Sequence, residues 1–331
     1  MPLRALTGIK PTGEPHLGNW LGAIKPALAL AGEYDTFYFI ADYHALTAIH
    51  NAEELRLNSL AIAATYLAFG LNPSRSIFYR QSDIPEIFEL AWILSCFTAK
   101  GLMNRAHSYK DAVAKNLELG KDPDLNINMG RFGYPVLMAA DILIFQADLV
   151  PVGMDQKQHV EIACDIAAHI NHTYQGKLFT LPEARIDTQV KTILGLDGQK
   201  MSKSYGNTLP LFLDEKALRK RVNQVVTNSQ TPDEPKQPDE STVFSLHKLL
   251  LSASETSLLR ERYLAGGLGW GRAKQDLFES LNAQLQGPRE EYHRWMKDPE
   301  SLNQVLAQGR DKARTQAADF LDRIRKTIGI R

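Results

Sequence analysis

Thr36 to Ala41 (TFYFIA) constrains the fold more than any other run in the chain, because it is continuously aromatic and aliphatic with no polar alternation. A strand of this kind is buried on both faces, so its sheet must be covered on both sides. Short β-type runs recur at Leu3 to Ile9, Ser76 to Arg80 and Leu149 to Val152. The text between them reads as helix: Trp20 to Ala31, Ala52 to Phe69, Ile87 to Phe97, a helix entered at Pro135 through VLMAADILIFQ, and Gln156 to Ile170. Such alternation predicts an α/β fold with a doubly wound parallel sheet. Lys100 to Gly130 is polar, holds an Asp122-Pro123-Asp124 turn and shows no strong period; it reads as a connecting segment bordering a pocket.

Composition mainly excludes. The chain has 331 residues, and Lys plus Arg equals Asp plus Glu at 38 each, so the formal net charge is zero. A neutral protein has little sequence-independent attraction for nucleic acid, and any RNA partner must be met by a local basic face and by shape. The two cysteines, Cys96 and Cys164, lie far apart in apolar helical text and read as buried free thiols, not as a disulfide or zinc site. No apolar run is long enough for a bilayer and the N-terminus lacks a basic-then-apolar signal, so no membrane partner and a cytoplasmic location are expected.

Thr7 to Ala23 (TGIKPTGEPHLGNWLGA) packs glycines 8, 13, 18 and 22 around prolines 11 and 15 and His16. It reads as a strand, a glycine loop and a helix opening near His16 or Gly18. A helix N-terminus behind a glycine loop is a ready anion site. A tight strand-to-helix turn without a ligand is the lesser alternative, kept open because neither Gly-x-Gly-x-x-Gly nor Gly-Lys-Ser/Thr is present.

Polar residues just past the end of a buried strand, such as Asp42-Tyr43-His44, lie where open α/β sheets take ligands. Tyr134, Met138 and Asp141 fall at helical spacing on one face. An aspartate inside so apolar a helix needs a partner, either within the protein or on a ligand. Asp155, after Gly153-Met154, is either the N-cap of the next helix or an acceptor for a ribose hydroxyl. A second glycine-punctuated loop, Gly195 to Asn207, carries Lys200 and Lys203 with Ser202 and Ser204, the inventory of a mobile phosphate clamp or of an ordinary lysine-serine surface loop.

Beyond it, Gln230 to Ser241 holds Pro232, Pro235 and Pro238 and reads as an exposed connector. Helical text follows at Val243 to Leu251, Ser254 to Leu264, Trp270 to Gln286, Arg289 to Met296 and Gly309 to Ile328, with Ser252 and Glu255 as a capping box and Pro288 as a boundary. Arg310, Lys312, Arg314, Arg323, Arg325 and Lys326 interleave with acids, which fits a solvated helix face better than an RNA surface. The expected division is 1–207 for the sheet domain and 208–331 for a smaller all-helical domain, with an exposed linker at about 228–241.

His16-Leu17-Gly18-Asn19 and Lys200-Met201-Ser202-Lys203-Ser204 together resemble the two signatures of class I aminoacyl-tRNA synthetases, in the family's order. The first varies its His-Ile-Gly-His motif and the second matches its lysine motif fully. Asn19, the run YPVLMAADIL and the segment VPVGMDQKQH are similar to tryptophanyl-tRNA synthetases over nearly the whole chain. The resemblance implies a Rossmann-like nucleotide-binding sheet and tRNA(Trp) anticodon binding by the helical domain. It also implies ATP with Mg²⁺ held mainly by the phosphates, with no protein metal site, and a cytoplasmic homodimer.

It further implies that Asp141 accepts the indole N–H of L-tryptophan while Met138 packs on the ring, with His44 and Tyr134 lining the pocket. Gln156 and Ser108 are the candidates for the substrate ammonium. ATP contacts are implied for Lys10, Pro11, Thr12, Gly18, Asn19, Gly153, Met154, Asp155, Lys200, Met201, Ser202, Lys203 and Ser204, and catalytic roles for His16, Asn19, Lys200 and Lys203. Lys10 stands where glutamine is frequent in the family, Met154 where an acid is usual, and Leu6 where an aromatic is usual. Three other readings compete with this one: a tyrosyl-tRNA synthetase, a small-molecule nucleotidyltransferase, and a non-catalytic nucleotide- or RNA-binding regulator derived from a synthetase.

Overall fold

The computed structural model describes residues 2–186 and 193–330. Among these residues five parallel strands form one sheet in the order β3-β2-β1-β4-β5: β1 Arg4–Ile9, β2 Asp35–Ile40, β3 Ile77–Arg80, β4 Leu149–Pro151 and β5 Glu183–Arg185. The last of these is too short and polar to stand out in the sequence. Strand β2 behaves as its text demands. Tyr38 and Ile40 enter one core with the Ala52–Ala68 helix, while Phe37 and Phe39 enter a second core with the Pro85–Phe97, Tyr134–Leu143 and Lys157–Thr173 helices. Each such side chain, once fully buried, contributes on the order of 1.5–3 kcal/mol. The fold is thus a doubly wound α/β sheet followed by helices.

Several local expectations change. The helix after the glycine loop opens at Leu17 and runs through a π-helical turn, Trp20–Ile24, before Lys25–Leu28. The polar stretch after Lys100 is not only connection: His107–Glu118 is a helix, in which Ala112 is the one buried residue. Pro288 does not end a helix. Trp270–Lys297 runs through it, held on both sides by packing, with Leu281 and Leu285 buried before the proline and Tyr292 stacked on Phe212 at 3.7 Å after it. In the polar connector, Lys236 is fully buried, its Nζ donating to the Thr231 and Glu234 carbonyls at 2.9 and 3.1 Å. Cys96 is exposed and Cys164 half-buried, correcting the expectation of buried thiols; both sit on outward faces of their helices.

The final helix, Pro299–Ile328, starts ten residues before the predicted Gly309. Leu302 and Leu306 join the first core while Ala313, Ala317, Phe320, Leu321 and Ile324 join the second, so the helix crosses the β3 edge of the sheet. Gly309 marks the crossing: a Cβ there would lie 1.7 Å from the Phe78 carbonyl oxygen. Arg314 bonds Glu86 at 3.0 Å and Arg325 pairs with Glu89, which engages two of the basic residues with the Pro85–Phe97 helix.

Candidate active site

Strand order reverses between β1 and β4, since β2 and β3 lie on one side of β1 and β4 and β5 on the other. In doubly wound sheets ligands bind at such a switch point, outside the carboxyl ends of the strands. Here those ends deliver Lys10 after β1, Asp42 to His44 after β2, Gln81 after β3 and Gly153 to Gln156 after β4. Two cavities open there, of about 410 and about 770 Å³. They share Asn19 and Asp155 as lining residues, so those two side chains stand at the joint between them.

The smaller cavity enters the sheet end between β1 and the Tyr134–Leu143 helix. Gly8 and Phe39 line it; a Cβ on Gly8 would fall 2.3 Å from the Phe39 ring, so only glycine leaves that ring in place. Tyr134, Met138 and Asp141 face it from one side of their helix, as helical spacing requires. Asp141 is fully buried, and its partners lie within the protein. Gln81 Nε2 donates to Oδ1 at 2.8 Å and to Oδ2 at 3.0 Å, and His44 Nε2 donates to Oδ2 at 2.9 Å. A carboxylate offers about four acceptor positions, so one is left for a further donor. Burial pushes the Asp141 carboxyl up, while the bonds from His44 and Gln81 hold it down. His44 lies against Tyr134 with ring centroids 4.1 Å apart, closing the wall.

The glycine loop and the lysine loop are stitched together. His16 takes the N-cap of Leu17–Asn19, and its backbone N–H donates to Asn19 Oδ1 at 3.0 Å. The Leu17 N–H donates to the Leu209 carbonyl at 2.8 Å and the Leu211 N–H to the Pro15 carbonyl at 3.1 Å, an antiparallel join just after the lysine motif. Gly18 lets the loops close: a Cβ on it would sit 3.0 Å from the His16 ring and 3.5 Å from Met201 Sδ. Lys203 Nζ reaches the Thr12 carbonyl, and Gly13, with φ +81°, turns beneath its side chain. Desolvation lowers Lys203 to about 8; desolvation and then the Lys203 charge lower His16 to about 4, so the imidazole is neutral at pH 7.

The structure therefore brings most of the candidates together. His16, Gly18, Asn19, Gly153, Met154, Asp155, Lys200 and Met201 line the larger cavity. His44, Tyr134, Met138, Asp141 and Gln156 line the smaller one. Lys10 and Thr12 line this smaller cavity, and the Thr12 carbonyl also accepts from Lys203 of the lysine loop. Pro11 is buried, Ser202 and Ser204 bond each other at 2.9 Å, and Ser108 lines neither cavity. Asp155 does not cap the following helix, whose N-cap is Gln156.

Three residues that hold the site together were not legible as such. Gln81, the partner of Asp141, follows β3, and the strand-end logic applied to His44 would have found it. Asn207, buried at the end of the lysine loop, accepts the Ser202 N–H at 2.8 Å and donates to Asp197 and to the Lys200 carbonyl. His159 Nδ1 donates to Gln156 Oε1 at 2.9 Å and carries no sequence signal beyond its polarity. Among the described residues no cluster of three His, Cys, Asp or Glu side chains is placed to hold a metal ion.

Residues 1–286 match the model of the class I tRNA synthetases (W and Y). A tryptophan–tRNA ligase of Neisseria meningitidis is 52% identical over 331 residues, covering 99% of this chain and 98% of that protein. One from Pseudomonas putida is 51% identical over 100% of this chain and 74% of its own length. The crystal structure of Campylobacter jejuni tryptophanyl-tRNA synthetase complexed with ADP and tryptophan superposes with a TM-score of 0.89 at 45% identity, covering 99% of this chain and 100% of that one.

Proposed function

We propose, for a chain that belongs to the class I tRNA synthetases of the tryptophan and tyrosine group, that the joined cavities are where tryptophan meets ATP. The protein is a tryptophan–tRNA ligase, an ATP-dependent aminoacyl-tRNA synthetase. The observation that carries the site reading is the joint itself: a cavity that holds Phe39, Met138 and Tyr134 and reaches a buried carboxylate meets, at Asn19 and Asp155, a cavity edged by the lysine loop.

In this reading the indole ring lies between Met138 and Tyr134, and its N–H takes the acceptor position of Asp141 that Gln81 and His44 leave open. The selection is strong because a ligand without that N–H leaves a buried acceptor unpaired, a penalty worth about 10⁴–10⁵ in discrimination in synthetase sites built this way. ATP fills the larger cavity. Asn19 and the Gly153–Asp155 turn meet the nucleoside, the helix start at His16 and Gly18 meets the phosphates, and Lys200 to Ser204 close over them. The carboxylate of tryptophan attacks the α-phosphorus and pyrophosphate leaves; the tRNA ribose then takes the aminoacyl group. No protein nucleophile is required, so positioning and charge stabilisation supply the rate. Bound Mg²⁺ would neutralise phosphate charge, and its coordination would come mainly from ATP.

Residues 208–331 form the part proposed to read tRNA(Trp), and the working species is proposed to be a cytoplasmic homodimer. Among the described residues no helix is long and apolar enough to cross a membrane. Amino-acid-dependent exchange of labelled pyrophosphate into ATP tests the reading. Exchange with tryptophan alone is expected; exchange with tyrosine instead moves the substrate assignment, and exchange with neither removes it.

A further inference from the structure

Among the described residues the half-buried Lys10 has no acidic side chain in ion-pair contact. Its Nζ donates to Thr47 Oγ1 at 2.9 Å, and Thr47 gives its own proton to the His44 carbonyl at 2.8 Å. The hydroxyl is therefore fixed with an acceptor lone pair towards Lys10. An ammonium has three donors, so this bond leaves two unused. The ring of Tyr134 stands 6.0 Å from Nζ on the cavity wall. Burial lowers the Lys10 ammonium below its ordinary range, and the neighbouring charge that adds to this is Arg131, also positive. A desolvated ammonium with like charge beside it is costly until an anion arrives.

The place of Lys10 decides which anion. It lines the cavity that ends on Asp141, not the cavity edged by Lys200, which has its own cations. With the indole N–H on Asp141, the charged end of the amino acid points to the joint marked by Asn19 and Asp155, in the cavity that Lys10 also lines.

We propose that Lys10, held by Thr47, binds the α-carboxylate of tryptophan and aims it at the joint between the cavities. This rests on the reading of the smaller cavity as the tryptophan site. One carboxylate oxygen pairs with Lys10 while the other attacks the α-phosphorus. The new O–P bond forms as the bond to pyrophosphate breaks, and that electron pair leaves with pyrophosphate. Lys10 neither gains nor loses a proton.

The test separates the two anions that could sit there. Wild type and Lys10→Met are titrated calorimetrically with L-tryptophan, with tryptamine, which lacks the carboxylate, and with ATP. The expected result is that Lys10→Met binds L-tryptophan about 10- to 100-fold more weakly, the range for a charge-assisted hydrogen bond, with tryptamine and ATP unchanged. Lys10→Arg should keep most of the tryptophan affinity. A loss confined to ATP would assign Lys10 to the phosphates, and an equal loss for tryptophan and tryptamine would mean a damaged pocket; either overturns the proposal. Wild type alone gives a second check, since L-tryptophan must bind at least about 10-fold better than tryptamine, and equal affinities overturn the assignment. Wild type that binds neither indole ligand would instead sink the tryptophan reading of the cavity.

Discussion

Gln81 holds both oxygens of Asp141, at 2.8 and 3.0 Å, from the end of a strand sixty residues earlier in the chain. The amide and the His44 ring together hold the carboxylate in place where Asp141 lines the smaller cavity. The proposed selection of the indole N–H rests on that orientation as much as on the charge.

Gln81→Met keeps the length of the side chain and removes both donors. It should lower kcat/KM for tryptophan by about 10- to 100-fold, the cost of leaving a buried acceptor under-satisfied, with ATP affinity intact. The check is pyrophosphate exchange across a tryptophan series beside an ATP titration. Unchanged kcat/KM would show that Asp141 needs no help in orientation.

The lysine loop depends on Asn207 in a comparable way. Its side chain ties Ser202, Lys200 and Asp197 to one buried point, and a Cβ on Gly195 would clash with it at 2.3 Å. Asn207→Ala should reduce kcat by about 10- to 100-fold, with three loop groups losing their partner, while tryptophan binding without ATP stays as in wild type. A loss of tryptophan affinity of the same size would mean general loosening.

What could be read in the sequence was local. The strand Thr36 to Ala41, the helix start at His16, the face of Tyr134, Met138 and Asp141, and the lysine loop are each set by neighbours a few residues away. What could not be read was long-range. Gln81 and His44 complete Asp141, Thr47 restrains Lys10, and packing against Phe212 carries a helix through Pro288. Local chemistry at Pro288 favours a break, and tertiary contacts on either side outweigh it.

Gly309 offers a stability test remote from both cavities. Gly309→Ala places a methyl 1.7 Å from the Phe78 carbonyl, so the final helix or β3 must shift. Overpacking of this kind costs about 1–3 kcal/mol and sometimes more, which a lower urea midpoint would register. A midpoint equal to that of wild type would mean the helix does not cross β3 as closely as described.

His159 should give stability a pH dependence. Desolvation lowers its folded pKa to about 4 from the usual 6.5, with the charge of His44 adding to the effect. Between those values the unfolded chain binds a proton that the folded protein does not, so stability falls as pH drops from about 6.5 to about 4. Buried acids such as Asp42 act in the opposite sense nearby, so the readout is the difference from His159→Asn, which keeps a donor for Gln156. The stability advantage of wild type over the variant should shrink through that window; an advantage independent of pH would show that His159 is not held neutral.

Lys203 should give the rate its alkaline limb. Half-buried beside the Thr12 carbonyl, its ammonium is lowered by desolvation to about 8, so the free enzyme carries the charge below that pH and loses it above. In the proposed site ATP binding needs the charged form, and kcat/KM for ATP reports ionisations of the free enzyme. That constant should therefore fall as pH rises through about 8. Lys203→Arg keeps a charge that does not titrate in this range, and although its rate will be lower, the alkaline limb should disappear from its profile. If the limb persists unchanged in the arginine variant, the titrating group is another residue, and Lys203 is charged throughout the working range.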